Sequence, residues 1–382
     1  MAFTSRIITD FSSISRREWA LLDHADNPFL SHAFLGALES TGSITPENGW
    51  QPNHLALFDE HGLAAFAPTY LKSNSHGEFV FDWAWADAYQ RHGLPYYPKW
   101  LTAIPYTPVS GPRLLVRSGH PDPVALRQAL ADMAVGVCEQ NQLSSWHCNF
   151  ISDEDGETLE GCELLARQDW QFHWHNRDYG SFDDFLATLR SRKRKNIRRE
   201  RAQVAASGLE FRTVHGDELQ TYELEFVYGC YLNTFLAYGN YPALSKELFA
   251  LVARELGRGV VVVLAARGGE NVAMALFLAG GGSLYGRYWG CVEEIPGLHF
   301  EVSYYQGIEY CIREGIGVFE SGAQGEHKIA RGFSCSQTRS FHHVCQADFR
   351  RAIADHLLRE REWLVERGEQ LRSLDPYRRD LA

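Results

Sequence analysis

The alternation of apolar and polar positions is clearest in the second half of the chain. Three apolar runs follow one another over residues 259–268, 270–280 and 283–291, separated only by short turns. Strands joined by such short turns pair in the antiparallel sense, so these runs predict a three-stranded meander with a tight glycine turn at 280–282. This order does not fit a doubly wound sheet, in which strands and helices alternate.

Further elements surround the meander. Apolar residues at helical spacing predict helices, and shorter runs rich in β-branched and aromatic residues predict strands. The predicted helices cover 181–207, 221–236, 245–256 and 299–315, and the predicted strands cover 209–214, 318–323 and 338–345.

The first half of the chain is less regular. The predicted helices there cover 28–41 and 123–141, and the predicted strands cover 54–59, 63–71 and 144–151. Residues 94–116 hold five of the fourteen prolines, which cannot continue a helix or a central strand, so this stretch predicts an ordered loop.

Length and pattern together predict a mixed α/β (α+β) protein of two domains. The expected domains are residues 1–165 and residues 166–382, the second with a basic helix at 181–207 and a terminal amphipathic helix from 348. The chain has 382 residues, 45% apolar and 22% charged, which is typical of a folded protein. The longest apolar runs are far shorter than the roughly 20 residues that span a bilayer, so we expect a cytoplasmic protein without a membrane span.

Cysteines and histidines give no metal or disulfide signature. The eight cysteines contain no C-x-x-C pair, which favours free thiols in a chain of this length. His173 with His175, and His342 with His343, are the nearest approaches to a ligand cluster, and both lack a third ligand at suitable spacing. We therefore predict no metal site.

Charge is concentrated in one helix. The net charge is −11, which argues against a general polyanion binder such as a DNA-binding protein, yet residues 190–201 carry eight basic residues and one acidic residue. One interpretation is phosphate binding, from a phosphorylated acceptor or the backbone of a tRNA. The other is a solvated helix balanced by acidic surface elsewhere. The candidate phosphate-binding residues are Arg192, Lys193, Lys195, Arg198 and Arg199.

The segment FESGAQGEHKIARGF, residues 319–333, concentrates groups suited to acyl transfer. Transfer of an acyl group to an amine needs a base and a donor that stabilises the oxyanion. We predict Glu326, His327 and Lys328 as catalytic residues. Substrate contacts are predicted for Glu320, Gln324 and Arg331. The alternative is a loop held together by its own ion pairs.

Other candidate substrate-binding residues lie in aromatic stretches. Arg287 and Tyr288 belong to GRYWG at the end of the third meander strand, and His299 and Glu301 begin the helix that follows. The glycine-rich R/Q-x-x-G-x-G/A loop that grips the pyrophosphate of CoA is replaced here by CVEEIPGLHFE. Asp82 and Trp83 are candidates for contacts to the acceptor, with Tyr96, Tyr97 and Lys99 beside them in the proline-rich loop.

The order of elements in the second half resembles the acyltransferase fold of the GNAT superfamily. The stretches RKNIRRER, GRYWG, HFEVSYYQGIEYCI and FESGAQGEHKIARGF together resemble the bacterial FemAB-like family of N-acyltransferases and peptidoglycan-biosynthesis proteins. The resemblance covers nearly the whole chain. It implies two tandem GNAT-like domains with central mixed sheets, and transfer of an amino acid from aminoacyl-tRNA to an amine of a cell-wall precursor. In that family the lysine precedes a phenylalanine in F-K-x-x-F, whereas Lys328 stands five residues before Phe333.

These observations lead to one hypothesis and two alternatives. The hypothesis is an N-acyltransferase with no tightly bound cofactor, whose acyl donor, aminoacyl-tRNA or acyl-CoA, is a co-substrate and whose acceptor is a cell-wall precursor or small metabolite. The alternatives are an acetyl-CoA-dependent N-acetyltransferase and a non-catalytic module that binds RNA or a precursor. The acyl group, the acceptor and the oligomeric state are left open by the sequence.

Overall fold

The computed structural model describes residues 3–323 and 325–378. Its strands are β1 (Thr4–Ile8), β2 (Trp50–Pro52), β3 (His54–Asp59), β4 (Gly62–Ala67), β5 (Thr69–Lys72), β6 (Lys99–Thr102), β7 (Leu115–Val116), β8 (Ser145–Asn149), β9 (Leu165–His175), β10 (Glu210–His215), β11 (Val260–Arg267), β12 (Glu270–Gly280), β13 (Ser283–Cys291), β14 (Val318–Glu320) and β15 (Ser334–Val344).

The helices are α1 (Arg16–Trp19), α2 (His32–Ser40), α3 (Trp83–Arg91), α4 (Pro123–Gln140), α5 (Asp153–Glu160), α6 (Phe182–Thr188), α7 (Ser191–Ala205), α8 (Thr221–Ala237), α9 (Lys246–Leu256), α10 (Leu298–Phe300), α11 (Gln306–Glu314) and α12 (Ala347–Ser373). A π-helical turn, Glu301–Tyr305, joins α10 to α11. Short 3-10 turns occur at Phe11–Ser13, Pro28–Leu30, Gly257–Gly259 and Glu326–Arg331. The expected mixed α/β class is confirmed.

The chain forms two compact units. The first contains Met1–Asp169 and Gln337–Glu366, and the second contains Trp170–Ser336 and Arg367–Ala382. Residues 337–366 therefore belong to the first unit, whereas the sequence placed them in the second domain. The physical reason is that the end of β15 pairs with β8 along five residues, from Ser340↔Asn149 to Val344↔Ser145.

The first unit holds an antiparallel sheet in the order β1-β3-β4-β7 and a second run of strands in the order β2-β5-β6-β8-β15. Within that second run, β6 and β8 are parallel and the other neighbours are antiparallel. The main apolar cluster of the first unit packs α4 against the strands, with Leu126, Leu130 and Ala134 on the buried face of that helix.

The second unit is built on strands in the order β10-β11-β12-β13-β14-β9. The predicted meander is confirmed, because β11, β12 and β13 pair in sequence as antiparallel neighbours. The turns between them are Gly268-Gly269 and Gly281-Gly282, all four with positive φ, which is the conformation that two-residue hairpin turns require. β14 then joins β13 in the parallel sense, and β9 covers β14 in the antiparallel sense.

Several predicted elements differ from the structure. The helix expected over 181–207 is two helices, since Leu189 leaves α6 to bridge Tyr377 and the amide of Arg190 donates to Pro376. The strand expected over 63–71 is divided at Pro68, which has no amide hydrogen for a ladder. The proline-rich stretch expected as a loop contains β6.

Several elements were not predicted at all. The missed strands are β1, β2, β7 and β9, and the missed helices are α1, α3 and α5. Among the described residues, no helix combines the length and the apolar character that crossing a membrane requires.

Candidate active site

The candidate site begins where the parallel strands β13 and β14 stop pairing. Their three residue pairs end at Tyr285 and Glu320, although β13 continues to Cys291. The next residues of the two segments, Gly286 and Ser321, are still close, since a Cβ on Gly286 would lie only 3.2 Å from the Cα of Ser321. Glycine therefore permits the last close approach before the strands separate.

A β-bulge in β13 lies directly beyond this point. Tyr288 pairs with Leu276 and Gly286 pairs with Phe277, which leaves Arg287 as the extra residue. A bulge bends its strand and increases the local twist. Along the rest of β13, the side that faced β14 has no strand partner among the described residues. The hydroxyl of Thr234 on α8 donates to the carbonyl of Trp289 in this part of β13 over 2.9 Å. The guanidinium of Arg287 donates to the hydroxyl of Tyr288 over 3.3 Å.

The segment after β14 turns back sharply. Gly322, Gly325 and Gly332 have φ of +94°, +115° and +96°, a region that other residues rarely adopt. The 3-10 turn Glu326–Arg331 lies between the last two of these glycines. These turns bring the side chain of Lys328 back toward the end of β14.

Lys328 is buried, with only 2% of its surface exposed. Its ammonium donates a hydrogen bond to the carbonyl oxygen of Gly322 over 2.6 Å. Burial lowers the pKa of Lys328 to about 7, because the charged form loses its hydration. The side chain can therefore hold or release a proton near neutral pH.

His327 lies next to it and is exposed. Its Nε2 is 3.0 Å from the hydroxyl of Tyr304, which belongs to the π-helical turn. Burial, with the nearby charges of Arg331 and Lys328, lowers the pKa of His327 below its usual value. Burial raises the pKa of Tyr304 to about 12, so its hydroxyl stays protonated. A neutral imidazole held by a tyrosine can accept a proton from an amine.

Arg331 anchors the turn to α7. Its Nη2 pairs with Oε1 of Glu200 over 2.9 Å, and its guanidinium stacks 3.4 Å above the ring of Phe300. The hydroxyl of Tyr305 donates to the same glutamate. Nη1 donates to the backbone carbonyl of His327 over 3.0 Å, and Nε is buried without a hydrogen-bond partner. Arg331 was predicted to contact substrate, but its guanidinium already binds groups within the protein.

The two glutamates of the segment lie in different surroundings. Glu326 is exposed and forms an ion pair with Arg367. Glu320, at the end of β14, is partly buried, and its Oε2 is 3.8 Å from Nε2 of His173. The structure therefore places Glu320 beside the buried His173 and leaves Glu326, a predicted catalytic residue, on the surface.

His173 is a neighbour that the sequence did not assign to this site. It lies opposite Glu320 on β9, is almost fully buried, and has Nε2 3.3 Å from Oε1 of Gln171. Burial lowers its pKa to about 3, with the charges of His175 and Lys328 adding to the effect. The period-two spacing of residues 171, 173 and 175 on one strand face is the signal that could have placed it. A second group that the sequence did not assign to the site is the buried hydroxyl of Ser321, which has no hydrogen-bond partner.

The helix that follows β13 contributes one of its two predicted residues to the site. The ring of His299 lies 5.0 Å from that of Trp289 and 5.4 Å from that of Tyr304, and burial lowers its pKa to about 4. Glu301 is buried, where Arg201 of α7 binds it over 2.9 Å. The structure thus places Glu301 in helix packing, and its predicted substrate contact would require that ion pair to open.

The basic helix is α7, and its apolar residues Ile197 and Val204 are buried as expected. Most of the candidate phosphate-binding residues are exposed, and Lys193 is half-buried. Arg198 pairs with Asp183 over 2.8 Å. The others, which have no ion-pair partner in the described part of the chain, are Arg192, Lys193, Lys195 and Arg199.

Asp82 and Trp83 belong to the first unit. Asp82 is buried and accepts hydrogen bonds from Lys99 and, over 2.6 Å, from the hydroxyl of Tyr96. Lys99 also binds Glu78 over 2.7 Å and is itself fully buried. Asp82 was predicted to contact the acceptor, but its carboxylate is enclosed in an ion-pair network. Trp83 is 42% exposed.

The structure thus groups His299 and His327 around Tyr304 of the π-helical turn, and Lys328 follows His327 in the chain. Gln324 lies outside the described residues. Within the described ranges, no three histidine, cysteine, aspartate or glutamate side chains are placed to hold a metal ion.

A family model described as peptidoglycan biosynthesis/recognition, FemAB_like, matches residues 10–379. Of the solved structures, FemX is 10% identical, with a TM-score of 0.51 over 92% of this chain and 100% of that chain. A C-terminal DUF2156 domain, from a protein described as a lysylphosphatidylglycerol synthetase of Agrobacterium fabrum, is 12% identical, with a TM-score of 0.50 over 91% and 94%. A conserved protein from Bacteroides thetaiotaomicron is 11% identical, with a TM-score of 0.52 over 90% and 100%. These likenesses show the fold alone. No curated protein matches the chain.

Proposed function

The chain belongs to the FemAB_like family of peptidoglycan biosynthesis and recognition proteins, and from this premise we propose that it is an N-acyltransferase that moves an acyl or aminoacyl group onto an amine. The observation that carries the proposal is the buried ammonium of Lys328 on the carbonyl of Gly322, beside His327, at the point where β13 and β14 separate. Family membership supports the class of reaction, and this geometry supports the residues.

The proposed reaction uses the two side chains in different roles. The acceptor amine attacks the carbonyl carbon of the donor ester or thioester, and His327 takes the proton that the amine loses. The charged form of Lys328 stabilises the oxyanion that forms on the carbonyl oxygen. The C–O or C–S bond of the donor then breaks, and the proton on His327 passes to the leaving oxygen or sulfur.

An ester donor carried by RNA is the form that the charges favour. The loop after β13, where a CoA-dependent enzyme binds pyrophosphate, carries Glu293 and Glu294, and the first of these pairs with Arg267 over 2.7 Å. The exposed cations of α7 offer phosphate-binding groups instead. The proposed acceptor is an amine on a cell-wall precursor, in keeping with the family description.

The test follows both donors in parallel. The protein is incubated with aminoacyl-tRNA or acyl-CoA and an amine-bearing muropeptide precursor, and loss of the ester or thioester is followed with time. We expect loss of the ester that depends on acceptor and disappears in Lys328→Met, whereas Lys246→Met, an exposed lysine elsewhere in the second unit, behaves as wild type. Loss of the thioester alone would identify the acetyl-CoA alternative. Binding of tRNA without turnover of either donor would contradict the proposal and favour a binding module.

A further inference from the structure

The one acidic residue of the basic run 190–201, Glu200 of α7, binds two elements of the candidate active site. Its Oε1 accepts from Nη2 of Arg331 over 2.9 Å, and its Oε2 accepts from the hydroxyl of Tyr305. Arg331 belongs to the 3-10 turn that carries His327, and Tyr305 belongs to the π-helical turn. Phosphate binding by α7 therefore does not account for this carboxylate.

The first connection runs through Arg331 to the backbone of His327. The guanidinium of Arg331 is buried, lies 3.4 Å above the ring of Phe300, and donates through Nη1 to the carbonyl of His327 over 3.0 Å. Among the described residues, Glu200 is the only carboxylate that pairs with Arg331. A buried cation that loses its carboxylate is strongly unfavourable, so Arg331 would leave this position and release the carbonyl of His327.

The second connection runs through the π-helical turn to the ring of His327. Tyr304 and Tyr305 are consecutive residues of that turn, so the bond between Tyr305 and Glu200 also restrains the backbone that carries Tyr304. The hydroxyl of Tyr304 lies 3.0 Å from Nε2 of His327. Burial and the bond to Glu200 raise the pKa of Tyr305, so its hydroxyl keeps the proton that it donates. Glu200 is thus connected to His327 at both its backbone and its ring.

The next residue of α7 binds the other end of the π-helical turn. Arg201 pairs with Glu301, the first residue of that turn, over 2.9 Å, whereas Glu200 binds Tyr305, the last. Arg201 also pairs with Glu309 of α11 over 2.7 Å. The side chain of Glu309 is 32% exposed and that of Glu200 is 25% exposed, so the Arg201–Glu309 pair is a matched control on the same helix.

We propose that Glu200 is a positioning residue for acyl transfer, which fixes the orientation of His327 through Arg331 and Tyr305. This inference rests on the proposed function, in which His327 takes the proton from the acceptor amine. It separates Glu200 from the exposed cations of the same helix, which would act by binding phosphates. Loss of Glu200 should therefore lower kcat and leave KM for the donor unchanged, whereas loss of those cations should raise KM.

The first experiment is kinetic and compares Glu200→Ala, Glu200→Gln and Glu309→Gln with the wild type, using aminoacyl-tRNA as donor. In Glu200→Ala, kcat should fall about 10- to 100-fold, because a displacement of about 1 Å in a reacting group has an effect of this size. Glu200→Gln keeps the shape and one acceptor oxygen, so its kcat should fall less. Glu309→Gln should keep the wild-type kcat. A circular-dichroism melt checks that each variant is folded.

Three kinetic results would overturn the proposal. They are a kcat of Glu200→Ala within about twofold of the wild type, an equal loss of kcat in Glu309→Gln, and a change in KM for the donor with kcat unchanged.

The second experiment needs no substrate. The ring resonances of His327, identified by their absence in His327→Gln, are followed by NMR as a function of pH in the wild type, Glu200→Gln and Glu309→Gln. Removing the charge of Glu200 leaves the guanidinium of Arg331 uncompensated, so the pKa of His327 should fall further below its usual value. In Glu309→Gln it should match the wild type.

The other groups around His327 do not produce this difference between the variants. The charge of Lys328 also lowers the pKa of His327, but it is the same in every variant. His299, with a pKa lowered to about 4, and Tyr304, with a pKa raised to about 12, are both neutral near neutral pH.

The two experiments separate this inference from the proposed function. An unchanged titration of His327 in Glu200→Gln would overturn the inference whether or not acyl transfer is observed. A wild-type protein that transfers no acyl group, together with the expected shift in Glu200→Gln, would contradict the proposed function alone and would support the connection between Glu200 and His327.

Discussion

Replacement of Lys328 by methionine should stabilise the protein while it removes the proposed activity. Methionine keeps the length of the buried side chain and removes its charge. The cost of that charge can be worked from the pKa of Lys328, which falls from its ordinary value of 10.5 to about 7 because the ammonium is buried. A difference of about 3.5 pKa units corresponds to about 5 kcal/mol between the charged and neutral limits.

The sign of the pH dependence follows from where the proton is held. Between pH 7 and pH 10.5 the unfolded chain keeps a proton on Lys328 that the folded chain has released, so raising the pH through this range stabilises the wild-type protein. The methionine variant has no such group. Between pH 7 and pH 9 its advantage should therefore be largest at pH 7, at about 3 kcal/mol after about 1 kcal/mol is subtracted for the lost hydrogen bond to Gly322. From pH 7 to pH 9 the advantage should shrink by about 2 kcal/mol.

The assay is urea unfolding followed by tryptophan fluorescence at pH 7, 8 and 9 and constant ionic strength, for the wild type, Lys328→Met and Lys246→Met. The last is the matched control, because Lys246 is an exposed lysine of the same unit, paired with Glu225. Its difference from the wild type should be small and independent of pH. A Lys328→Met protein that is less stable than the wild type at pH 7, by an amount that stays constant to pH 9, would refute the reasoning.

Three further predictions concern other parts of the chain. The rate of acyl transfer should rise with pH through the lowered pKa of His327, below 6.5, and fall as Lys328 loses its proton near pH 7. His327→Gln should remove the rising limb alone. An unchanged pH profile in this variant would exclude His327 as the base. Lys99→Met should lower the free energy of unfolding, measured in urea, by about 3–5 kcal/mol, because two buried carboxylates lose the cation that binds both. A loss below about 1 kcal/mol would show that the fold does not need this ion-pair network. Replacing Lys195 and Arg199 by glutamate should weaken tRNA binding and reduce the slope of log affinity against log salt by about 1.5. The melting temperature should not change. Binding that survives both replacements would leave α7 as a solvated helix.

The parts of the fold set by local conformation could be predicted from the sequence. The glycine turns around residues 268 and 281 need positive φ, and their spacing defines the meander before any tertiary contact is known. Elements set by distant contacts could not be predicted. Leu189 leaves a helical pattern because Tyr377, far along the chain, offers it a β-bridge. Likewise, β15 joins the first unit because β8 lies open to it.

The same division applies to the candidate site. Residue types suited to acyl transfer were visible in the segment after β14, but burial decides which of them can act, and burial is a tertiary property. Asp82 and Lys99 illustrate the reverse case. Both were interpreted as groups facing a substrate, and the structure encloses them in an ion pair. Charged residues in an aromatic stretch fit either arrangement, because aromatic rings line binding sites and also fill cores.

Backbone geometry explains why three adjacent residues have three different surroundings. A 3-10 turn has three residues per turn, so the side chains at 326, 327 and 328 point about 120° apart. Glu326 is thereby directed to Arg367, His327 to Tyr304 and Lys328 inward to Gly322. The carboxylate two residues from the lysine consequently cannot neutralise it, and burial without a counter-ion is what brings the pKa of Lys328 close to neutral pH. The lowered pKa thus depends on the glycines that permit this tight turn, which joins the unusual backbone of the segment to its chemistry.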